Sequence, residues 1–76
     1  MSLAIVLINS EAGRESELLE KLKKIRSVKE AYIVYGVYDI VAKVESESLE
    51  ELRDVISRRI RRLEGVRSTI TLIVVS

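Results

Sequence analysis

A chain of 76 residues makes one small domain, and at that size it buries only about 60% of its unfolded surface, so association helps it. Without Cys or His it has no disulfides, no thiolate metal site, and neither the commonest general base nor the commonest transition-metal ligand, which sets most enzyme classes aside. With 13 basic residues against 12 acidic ones, the net charge of +1 gives no global pull toward nucleic acid or membrane.

The chain opens with "LAIVLIN" (Leu3–Asn9), short, β-branched and apolar on both faces, which predicts a buried strand. This apolar run is far too short to span a bilayer, and Met1–Ser2 offers no basic region of a signal peptide, so a cytoplasmic location and no membrane contact are expected. "SEAG" supplies a turn. From Arg14 the spacing becomes helical, with Leu18, Leu19, Leu22 and Ile25 on one face and an end near Ser27. Glu17–Lys21 and Glu20–Lys24 are i,i+4 pairs in the favourable orientation, each worth about 0.2–0.5 kcal/mol.

"VKEAYIVYG" (Val28–Gly36) reads as a second strand, with Ala31, Ile33 and Tyr35 on one side. "DIVAKVE" (Asp39–Glu45) reads as a third, and the break at Gly36-Val37-Tyr38 makes the pair a hairpin. Ser48 and Glu51 fit a capping box, after which Leu49, Leu52, Ile56, Ile60 and Leu63 mark one helical stripe. Gly65 suits the position just past that helix. "VRSTITLIVV" (Val66–Val75) is the last strand. A third of the residues are charged, Gln is absent and Asn9 is the sole Asn, a composition like that of thermophile proteins.

The order β-α-β-β-α-β, with "IRSVKEA" echoed by "LEGVRST" one half-chain later, predicts an α+β ferredoxin-like fold: a four-stranded antiparallel sheet with both helices on one face. The uncovered face does not read as polar. With Ile70, Leu72 and Val74 turned to the helices, Thr69, Thr71, Ile73 and Val75 lie opposite, beside a first strand apolar on both sides. A patch of that breadth predicts that two sheets pack face to face in a dimer of the α/β-barrel type.

The β-α-β-β-α-β order, the "GVYD" hairpin running into "IVAKVE", and the closing "EGVRSTITLIVV" together resemble the RAM domain, the ligand-sensing half of the Lrp/AsnC family of transcription regulators. The resemblance covers nearly the whole chain. It implies an amino-acid effector bound between dimers and a homodimer with higher rings of dimers; the composition gives no reason to expect a cofactor or metal. It places the effector loop at Gly36, Val37, Tyr38 and Asp39, with Thr69 and Thr71 of the last strand lining the pocket. A full regulator carries a helix-turn-helix before this domain. Here the first strand begins at Leu3, so the expectation is one stand-alone ligand-sensing domain over residues 1–76. It would not bind DNA directly and would act alone or with a full-length regulator as partner.

The residues suit such a pocket on their own terms. Gly36 lets a ligand approach the backbone, Asp39 can accept from an ammonium group, and Tyr35 and Tyr38 offer apolar walls with polar tips. The plainer reading is that Asp39 ties the turn backbone and the tyrosines pack. "SRRIRRLEG" reads chiefly as a solvated helix end whose arginines complement the dipole, and otherwise as a nucleic-acid or acidic-partner patch. An ACT-like amino-acid sensor, with its site near the Glu11–Gly13 turn, and a small dimeric ferredoxin-like enzyme are the alternatives. The scattered carboxylates offer the enzyme no convincing acid/base pair, and no catalytic residue is expected.

Overall fold

The computed structural model describes residues 1–76. In chain order the elements are β1 (Ser2–Ser10), α1 (Glu15–Lys23), β2 (Val28–Ile33), β3 (Ile40–Ser46), α2 (Leu49–Val55) and β4 (Val66–Ile73), with a single π turn over Ile56–Ile60 extending α2. The four strands form one antiparallel sheet in the order β2-β3-β1-β4. This is the ferredoxin-like arrangement that the element order predicts.

β1 sits at the centre because it is apolar on both faces. Ala4, Val6 and Ile8 are fully buried beneath the helices, while Leu3, Ile5 and Leu7 point the other way and stay partly covered. Ile40, Ala42 and Val44 of β3 lie beside the first set in register. From the helices come Leu18 and Leu22 of α1, Leu52 of α2, and Ile56 and Ile60 of the π turn. Together with Ile25, Val28 and Ala31 they make one core of 14 buried hydrophobic residues, none of them aromatic, so all three tyrosines lie outside it. The two buried polar side chains are satisfied: the Ser46 hydroxyl donates to Ser27 Oγ at 3.4 Å and the Ser10 hydroxyl to the Glu11 carbonyl at 3.2 Å.

Both helices are shorter than the stripe of apolar residues suggests. α1 begins after Arg14 and stops at Lys23, with acidic Glu15 and Glu17 in its first turn and Lys21 and Lys23 in its last, each complementing the dipole. α2 starts at Ser48, whose side chain accepts the Glu51 N–H at 3.1 Å. The helix then widens, and the Arg61 N–H reaches five residues back to the Ile56 carbonyl at 2.9 Å. The buried residues Leu52, Ile56 and Ile60 explain this. Spaced four apart, they would drift about 40° per step around a regular α-helix, and one wider turn brings them back into line. Gly65 falls beyond the helix, in the turn before β4, with φ +101.

The facing of β4 is opposite to the sequence reading. Its register pairs Thr69 with Ile8, Thr71 with Val6 and Ile73 with Ala4, so those three lie on the helix side. Ile70 pairs with Leu7 and Leu72 with Ile5, on the open side. The physical reason is that α2 packs over β1 and β3 and barely reaches the edge strand β4. The helix side of β4 is therefore not a core position, and threonine is tolerated there. The open face remains broad and apolar: Tyr32, Val41, Leu7 and Ile70 form one row across the sheet, and Ile5 and Leu72 continue it beside Lys43 and Glu30. Ile70 and Leu72 keep 44% and 49% of their area exposed.

Candidate functional site

β2 ends at Ile33, three residues before the sequence reading ends it, so the connection to β3 is a longer projecting loop and Tyr35 belongs to no strand. The loop closes where the Val34 N–H donates to the Asp39 carbonyl at 2.8 Å. Between these points Gly36 adopts φ +153, a conformation side chains rarely take, and a Cβ there would meet nothing within 4 Å. The glycine is required by backbone conformation and not by crowding. Tyr35 and Val37 project into solvent, whereas Tyr38 is half-buried.

Asp39 anchors the loop to the sheet. Its N–H donates to the Ile8 carbonyl at 3.0 Å, and its Oδ2 accepts the Ser10 N–H at 2.9 Å and, more loosely, the Ser10 hydroxyl at 3.5 Å. The turn-tying role weighed for Asp39 is thus real. The same carboxylate has a second oxygen, Oδ1, to which no protein group donates.

Asp39 also borders a concavity of about 320 Å³ whose other walls are Asn9, Ser10, Arg67 and Ser68. Antiparallel pairing builds it: the polar end of β1 meets the polar start of β4, with Asn9 opposite Ser68 and their side chains joined at 3.3 Å. A carboxylate and a guanidinium lining one small hollow present opposite charges, the complement of a zwitterion. The sequence reading missed Asn9, Ser10, Arg67 and Ser68. The signal was present in "NS" closing the first apolar strand and "RS" opening the last.

Thr69 and Thr71 stand apart from the hairpin of their own chain. Thr69 shares a row with Ile8 and Ile40, and Thr71 lines a different groove with Arg53, Ile56, Ser57, Arg61 and Ile73. Of the arginine cluster, Arg58 is committed to Asp54 at 2.9 Å, while Arg59 and Arg62 are exposed.

The turn after β1, where an ACT-like site would lie, is occupied by ion pairs. Arg14 reaches Glu17 at 2.8 Å, Glu11 at 3.3 Å and Glu64 at 3.6 Å. The Glu11 N–H donates to the Gly65 carbonyl at 2.8 Å, so this node clips the start of α1 to the entry of β4. Hydrogen bonds from Arg14 and then Lys21 pull the Glu17 carboxyl down to about 2.

The family model for the Lrp/AsnC ligand binding domain matches residues 3–76. The chain belongs to this family. Solved structures agree with the assignment. A hypothetical protein from Pyrococcus horikoshii is 41% identical to this Lrp/AsnC domain, with a TM-score of 0.94, covering 100% of this chain and 92% of that one. E. coli AsnC is 32% identical with a TM-score of 0.91, and there the match covers 99% of this chain and 51% of the other. A Neisseria meningitidis transcriptional regulator solved as its L-Met complex is 10% identical with a TM-score of 0.85, covering 99% of this chain and 50% of that one, a likeness of fold alone. No curated protein matches this chain. No helix in it is long and apolar enough to cross a membrane.

Proposed function

We propose that this Lrp/AsnC domain is an amino-acid-sensing and oligomerisation module of cytoplasmic transcription regulation. The observation that carries the reading is the hairpin at Tyr35–Asp39. Its base is fixed to β1 through Asp39 and Ser10, while Tyr35 and Val37 project with nothing to cover them. A rigid loop with exposed apolar tips is half of a pocket, and another copy supplies the rest.

In this reading two chains join through their open sheet faces, and the dimers join into a ring. The hairpin of one dimer, through Tyr35, Gly36, Val37, Tyr38 and Asp39, meets Thr69 and Thr71 of the next. The free Oδ1 of Asp39 takes the effector's ammonium, and the loop backbone beside Gly36 takes its carboxylate. The complex of the Neisseria regulator with L-Met supports an amino-acid effector for a domain of this fold. A full-length Lrp/AsnC regulator is the natural partner through the same sheet face.

Native mass spectrometry of the purified protein, alone and with a mixture of the common amino acids, tests this. A multiple of the dimer that retains one amino acid per subunit is expected. A monomer with nothing bound overturns both the sheet-to-sheet dimer and the shared pocket.

A further inference from the structure

Because α2 packs over β1 and β3 and stops short of β4, a groove of about 330 Å³ opens between the π turn and the edge strand. Ile56 and Ile73 form an apolar floor, and Arg53, Arg61, Ser57 and Thr71 form the walls. Neither Arg53 nor Arg61 takes part in an ion pair, and the nearby acid on the same helix, Asp54, is held by Arg58 at 2.9 Å. The Thr71 hydroxyl has no hydrogen-bond partner in the protein, and that of Ser57 has only a long bond of 3.5 Å to the Asp54 carbonyl. The groove thus gathers two uncommitted guanidiniums and two hydroxyls over a hydrophobic base.

The π turn is part of this construction. The bond that defines it joins the Arg61 N–H to the Ile56 carbonyl, so two lining residues are the two ends of the widened turn. Single π turns within α-helices occur frequently at functional sites.

We propose that this groove binds a small organic oxyanion, with a carboxylate or phosphate head held between Arg53 and Arg61 and a short apolar body laid on Ile56 and Ile73. Guanidinium groups suit either head through paired N–H donors. Thr71 supplies a neutral donor, and the floor distinguishes such a ligand from a bare inorganic ion. The groove is separate from the hairpin of its own chain, and Thr71 is the one residue it shares with the proposed amino-acid pocket.

The test is a ligand-observed NMR titration of the intact protein with hexanoate, acetate, hexyl phosphate and inorganic phosphate at constant ionic strength. Saturable hexanoate or hexyl phosphate binding is expected, and the tighter of the two names the head. Hexanoate should exceed acetate by about fourfold for each methylene buried on the floor. Arg53→Gln with Arg61→Gln, both at exposed positions, should weaken binding by about tenfold or more, and circular dichroism checks that the double variant folds. Asp39→Asn should leave binding unchanged. The proposal is overturned if neither hexanoate nor hexyl phosphate saturates, if the double variant binds equally well, or if inorganic phosphate binds as tightly as both. Loss of binding in Asp39→Asn overturns it too, because the groove would then be no site of its own.

Discussion

The Asp39 carboxylate accepts the backbone N–H of Ser10 at 2.9 Å, joining the hairpin to the far end of the central strand across 29 residues of sequence. The acceptor is charged and the Ser10 side is buried, so the bond belongs to the stronger class. Asp39→Ala leaves that buried donor without a partner. We expect it to lower unfolding free energy by about 1.5–3 kcal/mol in urea, and Asp39→Asn, whose amide oxygen still accepts, to lower it less. If Asp39→Ala proves neutral, the tie is not what holds the loop.

The hairpin glycine gives a second expectation. At φ +153 with open space around it, Gly36 is constrained by backbone conformation alone. Gly36→Ala should therefore cost about 1–3 kcal/mol through strain without any packing defect. Replacing neighbouring Val37, which is 86% exposed, should leave stability unchanged. Under the proposed function both substitutions weaken amino-acid binding, and native mass spectrometry with denaturation curves separates the two effects.

Glu17 sets an acid limb. Its folded value lies near 2 against an ordinary 4.5, so its pairing with Arg14 and Lys21 contributes fully above about pH 4.5 and is lost as pH falls toward 2. Stability should therefore decline through that window and decline less steeply in Glu17→Gln. The groups are exposed, so the difference is small and fades in high salt. Thermal melts at pH 2.5, 3.5 and 5.5 check it, and an unchanged slope in Glu17→Gln would show that the pair is already screened in water.

The open sheet face predicts its own disruption. Ile5 and Leu72 are neighbours across β1 and β4 on that face, away from the helices. A Leu72→Lys substitution places a charge in the proposed interface and leaves the core of the single chain untouched. An uncompensated buried charge costs about 3 kcal/mol or more, so dimer affinity should fall at least about a hundredfold while the circular dichroism spectrum is retained. Light scattering across a dilution series reads this directly, and an unaltered dimer would move the interface elsewhere.

The element order was legible because each segment declares its period. Ala4, Val6 and Ile8 alternate, whereas Leu18, Leu22 and Ile25 fall at helical intervals. β4 was readable as a strand but not in its facing. "TITLIVV" offers apolar residues to both sides, and only the register with β1, together with the reach of α2, assigns them. The π turn was hidden for a related reason: the stripe of Leu52, Ile56 and Ile60 looks helical whether or not one turn is wider. The hairpin motif located the loop. Its neighbours Asn9, Ser10, Arg67 and Ser68 come from the two ends of the chain, and no local pattern joins residues that meet only through sheet pairing.

The pairing of β1 with β4 also bears on how a copy comes into being. The first strand to leave the ribosome waits for the last, since the sheet cannot close at β4 until the chain has been made as far as Ile73. Such distant partners make for slower closure than local contacts do. Until then Ile5 and Leu7 have no β4 neighbours beside them, and the sticky face is incomplete. Under the proposed function, pairing of copies through this face therefore needs a chain made at least as far as Leu72.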